Sequence, residues 1–198
     1  MTLSLPHDDN GNVPLHVREM MEELLARGET ITLTTFGRSM HPLLKPGAAA
    51  RVQGCSSETA RLGDVVLIKG TLEGVHDKLI LHRVIGRSWR NEAVHLVTKG
   101  DSSPRDVVQP SENTVCLGRL TGFTYKDRDY DLRRWFWRPV NVAVAGLSAF
   151  CARCRRSFLF REQERPYRDQ RLPQKAAILL IRCLIYPAKW LSGHPVSM

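Results

Sequence analysis

The sequence predicts a mainly β protein: a compact, coiled, barrel-like β-sheet with a helix ahead of it and a basic, helical extension behind it. Three observations carry this. Five or six short segments rich in Thr, Ile, Val and Leu follow one another from Ile31 to Tyr125, with Gly, Ser, Asp and Asn between them. Short strands joined by turn chemistry suit a coiled β-fold better than α/β layers. The charge then divides the chain. Residues 1–125 hold 14 Lys/Arg and 14 Asp/Glu, whereas residues 126–198 hold 15 Lys/Arg against 6 Asp/Glu. The whole formal excess of +9 lies in the last part, which argues for two functional parts.

Taken in order, Pro14–Arg27 reads as a helix, because Leu15, Met20 or Met21, Leu24 and Leu25 recur near helical spacing. Gly28 is a natural stop. Strands are expected at Ile31–Phe36, Arg51–Gln53, Asp64–Lys69, Lys78–Gly86, Ala93–Lys99 and Thr114–Tyr125. Beyond Tyr125 come a charged, aromatic stretch (Asp127–Arg138) and two apolar stretches, Val140–Cys151 and Ala176–Trp190, with an Arg-rich linker between them. The expected organisation is an N-terminal helical segment at 1–29, a β domain at 30–125 and an extension at 126–198.

Composition narrows the classes. An apolar content of 42% with 25% charged residues describes a globular chain, not a disordered one. Five scattered cysteines do not make a disulfide framework and favour a reducing compartment. Cys151-x-x-Cys154 has redox or zinc spacing but lacks a second pair to complete four ligands, so neither a metal nor a cofactor is expected. Residues 1–13 are polar, with no cleavable apolar run after them, and no segment reaches the roughly 18–20 apolar residues of a membrane span. A cytoplasmic protein, or one peripheral on the cytoplasmic membrane face, is the expectation.

Three stretches carry chemistry. Ser39 follows a strand in a turn set by Gly37 and Pro42. A serine hydroxyl is a poor nucleophile unless a base stands at hydrogen-bonding distance. His82 lies within a strand, on the side of Ile80 and Val84, and imidazole works as a base near neutral pH. Asp101 and Asp106 share a loop with Gly100, Ser102, Ser103 and Pro104. Either could accept from the imidazole N–H and fix its tautomer, and either could simply cap a turn.

In these stretches the chain resembles the type I signal peptidase family, in its Ser-His form of the endoplasmic reticulum, archaea and some bacteria. Gly37-Arg38-Ser39-Met40-His41-Pro42 matches the family's serine box, and Gly63-Asp64-Val65-Val66 its Gly-Asp-Ile/Val-Val strand. His82-Arg83-Val84 matches the base box, and Lys99-Gly100-Asp101 with Asp106 the last. The likeness covers roughly residues 30–123 and extends in fold to the self-cleaving repressor peptidases. It implies a serine endopeptidase that removes a leader or signal segment from a precursor. Ser39 would be the nucleophile, His82 the general base and Asp106 the orienting carboxylate, with Asp101 supporting or sharing that role. Ser39, Gly37 and Met40 would make up the oxyanion and binding part, and no metal is involved. Family members often carry a Ser two residues before the nucleophile, where this chain has Gly37. The acidic residue usual after Pro-Gly is replaced by Ala48, and the family's N-terminal anchor is not seen.

The extension, with Arg and Lys around short Trp-containing apolar stretches, fits a segment lying on an anionic membrane surface. Its alternative is that Ala176–Leu191 packs back on the catalytic domain. Nucleic acid is disfavoured, since the aromatics cluster with apolar residues and are not spaced as stacking platforms. The competing function is a non-catalytic peptide-binding module or membrane-surface adaptor that retains the fold.

Overall fold

The computed structural model describes residues 14–72, 75–90, 92–102, 107–108, 114–159 and 171–195. Helix α1 (Leu15–Ala26) turns Val17, Met21 and Leu25 inward and leaves Leu15 exposed. The apolar seam is therefore set by Val17, which the sequence reading did not include. The helix ends at Gly28, whose φ of 77° lets its N–H return to Leu25 O.

Among the described residues nine strands follow one another: β1 (Thr30–Thr34), β2 (Ala49–Gly54), β3 (Val65–Leu72), β4 (Val75–Arg90), β5 (Ala93–Lys99), β6 (Val107–Val108), β7 (Val115–Tyr125), β8 (Arg128–Asp131) and β9 (His194–Pro195). Helices α2 (Trp137–Leu159) and α3 (Arg171–Ser192) lie between β8 and β9. The main path runs β1-β2-β7-β3-β4-β5-β6, and β8 joins β7 to β9. Every pairing is antiparallel. Among the described residues β1 and β6 are the free ends of the path, so strand pairing does not close the barrel-like sheet expected from the sequence. Register shifts at Arg51/Val52, Leu67/Ile68 and Val84/Gly86 bend the strands instead.

The Val-Val-Leu-Ile run of β3 is buried on both faces. Val65 and Leu67 join the large core formed with α1, Phe123, Trp137, Ile181 and Ile185. Val66 and Ile68 join a smaller cluster with Ile80, Val84, Leu96 and Cys116. In that smaller layer the Cys55 and Cys116 thiols lie 3.9 Å apart.

The sheet continues past Tyr125. Lys126 and Asp127, at φ 48° and 56°, turn the chain into β8, so the shift in composition falls inside a hairpin. Arg51 on β2 reaches Asp129 on β8, and Phe123 stacks on Tyr130 at 4.6 Å. Both extension helices pack on the domain. Trp137, Val144 and Ala145 of α2 are buried, as are Ile181, Ile185 and Ala188 of α3. The Lys189 ammonium of α3 donates to Pro42 O at 3.1 Å and Leu43 O at 2.8 Å, over the rings of Phe123 and Tyr130.

Burial, with a smaller push from Lys45, lowers the Lys189 pKa from 10.5 to about 8. Between those values the unfolded chain holds a proton on this group that the folded protein has released, so its contribution to stability rises with pH over that window. Urea unfolding at pH 8 and pH 10 is expected to show that rise in the wild type and a flatter slope in Lys189→Met.

Candidate active site

The site is assembled by two neighbouring residues of β4 that point opposite ways. Strand alternation sets His82 beside Val66, on the side of Ile80 and Val84, and turns Arg83 to the other side, toward α2. Both are fully buried.

Arg83 is held on three sides. Its Nε and Nη2 donate to the two carboxylate oxygens of Asp101 at 2.8 and 2.7 Å. Nη1 donates to Gly63 O at 2.9 Å and to Asn141 Oδ1 of α2 at 2.7 Å. A buried guanidinium is tolerable only with such a complete set of acceptors. Gly63 is the residue this packing requires: its φ is 91°, and a Cβ there would lie 2.8 Å from the Asn141 carbonyl carbon. The next residue, Asp64, accepts from Arg138 of α2 at 3.1 Å and from Arg119 at 3.4 Å.

The loop after β5 then brings Ser39 to His82. Gly100 follows the Arg83–Lys99 pair of β4 and β5. A Cβ on Gly100 would lie 2.9 Å from Ser39 Cβ and 3.3 Å from His82 Nε2, so serine and imidazole both border the bare Gly100 backbone. Ser102 fastens the contact. Its N–H donates to Ser39 O at 2.8 Å, and its hydroxyl donates to Arg38 O at 2.6 Å and Ser39 O at 3.1 Å. Lys99, also buried, donates to Gly100 O at 3.0 Å.

Of the residues singled out from sequence, Ser39, His82 and Asp101 therefore converge on one loop cluster, but Asp101 directs both oxygens to Arg83. Asp106 lies outside the described residues. Gly37 is exposed, and a Cβ there would meet nothing closer than Ser39 N at 4.0 Å. Met40 is 3% exposed; its side chain belongs to the large core and its carbonyl accepts from Leu44 N–H at 2.9 Å. Among the described residues no group of three or more His, Cys, Asp or Glu could hold a metal ion.

No family model matches this chain, and no curated protein or solved structure matches it.

Sequence reasoning missed four supports: Arg83, Gly100, Asn141 and Lys189. Arg83 and Gly100 stood inside the motifs already quoted. Asn141 and Lys189 each interrupt an apolar helical run, where a polar residue can reach a buried partner, but the exposed Arg182 in the same run as Lys189 shows that the signal does not single them out.

Removing one member of a buried pair leaves the other charge uncompensated, at about 3–5 kcal/mol. Arg83→Met is expected to lose about that much in urea unfolding followed by circular dichroism. Arg83→Met combined with Asp101→Leu is expected to lose less than the sum of the two single changes.

Proposed function

We propose that this chain is a serine endopeptidase of signal-peptidase type that removes a leader or signal segment from a peptide or protein precursor. The observation that carries the reading is that Ser39 Cβ and His82 Nε2 both lie close to the Gly100 backbone. It is supported by the order of the four motifs and by the way Gly63, Arg83 and Asp101 lock their loops together.

In this reading Ser39 Oγ attacks the carbonyl carbon of the scissile peptide while His82 Nε2 takes the hydroxyl proton. The carbonyl oxygen becomes an oxyanion, and the Ser39 backbone N–H donates to it. His82 then passes its proton to the leaving amine as the C–N bond breaks, leaving an acyl-serine. Water, deprotonated by the same imidazole, hydrolyses that ester and restores Ser39. Asp106 remains the proposed orienting carboxylate. Asp101 acts one step removed, holding Arg83 and with it the backbone between His82 and Gly100. With Gly37 two residues before the nucleophile, backbone donors alone serve the oxyanion.

Ser39→Ala and His82→Ala are each expected to abolish cleavage of a signal-peptide substrate with small residues before the cut. Wild-type kcat/KM should fall as pH drops through the range where imidazole takes up its proton, because the base must be neutral to act. Activity that survives either change would overturn the reading. Gly100→Ala, which would press a methyl against Ser39, is expected to lower kcat about 100-fold. Gly37→Ser has room for its side chain and offers a further donor, so it should raise kcat, by up to about 100-fold.

A further inference from the structure

Helix α3 is apolar on both sides. Ile181, Ile185, Ala188 and Ser192 recur at helical spacing and are buried against the domain. About half a turn away, Leu179, Tyr186 and Trp190 are 60%, 46% and 78% exposed, and Leu180 and Leu191 widen the stripe at 53% and 58%. From Leu179 to Leu191 the stripe runs roughly 18 Å along the helix. A protein surface rarely leaves so continuous an apolar strip open without a use for it. Among the described residues no helix is long and apolar enough to cross a membrane, so the strip is not one side of a span.

Charge decides what covers it. Arg182, about a quarter-turn from the buried Ile181, lies at one margin of the stripe, on the side of the Ser39 loop. Around His41 of that loop stand Arg182, Lys45, Lys189 and Arg38. Burial first, and then these four cations, lower the His41 pKa below its ordinary value. A second copy packed on the same stripe would bring these cations against their own equivalents, which opposes association. An anionic surface meets both halves of the patch at once: apolar side chains enter the headgroup boundary and cations face the phosphates. Trp190 and Tyr186 are the side chains that favour such a boundary.

We propose that the outward face of α3 docks on an anionic lipid surface, with Leu179, Tyr186 and Trp190 entering it and Arg182, Arg38 and Lys45 facing its phosphates. The same helix is clipped to the nucleophile loop through Lys189, so docking would hold the Ser39 loop beside the lipid headgroups. The docking does not depend on the chemistry of Ser39.

The test is flotation of the full chain with vesicles of phosphatidylcholine plus phosphatidylglycerol, and with phosphatidylcholine alone. Binding to the anionic vesicles is expected to be at least about tenfold tighter. Leu179→Ser with Trp190→Ser is expected to weaken it at least about tenfold, and Arg182→Glu about tenfold. These side chains are exposed, and unchanged circular dichroism would show that the variants keep the fold. Ser39→Ala should bind as the wild type does, so failure to cleave and failure to dock can be told apart. No binding to anionic vesicles, or binding undiminished in these variants, would overturn the proposal. So would a dimer in analytical ultracentrifugation that Leu179→Ser with Trp190→Ser dissolves.

Discussion

The buried guanidinium of Arg83 is the constraint on which the rest of this structure depends. It is fully desolvated, and its acceptors come from three other places in the chain: the loop after β5, the turn before β3 and helix α2. An ion in the interior is tolerable only while all of its partners are in place. Each partner is therefore fixed by the same penalty. Asp101 fixes the loop that carries Gly100 and Ser102, and Ser102 holds the Ser39 carbonyl. The placement of the Ser39 backbone beside Gly100 thus follows from a charge held on the other side of the strand.

Much of the fold was legible because it rests on local rules. The segments at Ala93–Lys99 and Thr114–Tyr125 show strand composition bounded by turn residues, and they form β5 and β7 within a residue. The β8 strand was not legible, because Arg128, Asp129 and Asp131 carry no apolar alternation. Asp131 finds a local partner in Arg133, but Asp129 and the strand itself depend on Arg51 and the edge of β7, which only tertiary structure supplies. The helical reading of the extension holds, but its placement depended on single polar residues. Asn141 and Lys189 are what attach α2 to Arg83 and α3 to the Ser39 loop.

The site divides the same way. Ser39 and His82 stand out in the sequence because their chemistry is particular to their residue types, and the structure sets both beside Gly100. The partner of Asp101 could not be read from spacing. A carboxylate in the last motif can serve the imidazole at position 82 or the guanidinium at position 83, which face opposite sides of one strand. Geometry directs both Asp101 oxygens to Arg83, where a planar fork meets two acceptors at 2.7–2.8 Å.

The basic extension is consequently part of the site's support and not a tether alone. Residues 126–198 supply the acceptor that completes the Arg83 shell, the ion pair to Asp64, the ring that stacks on Phe123 and the ammonium that clips Pro42 and Leu43. Cutting the chain at Tyr125 would strip all four at once, break the β7–β8 hairpin and leave a buried guanidinium short of an acceptor. Loss of activity after such a cut would follow whether or not the extension ever met a lipid. The two roles of α3 separate by face and not by segment. Ile181, Ile185 and Lys189 are buried or bonded against the domain, while Leu179 and Trp190 lie on the outer side at 60% and 78% exposure.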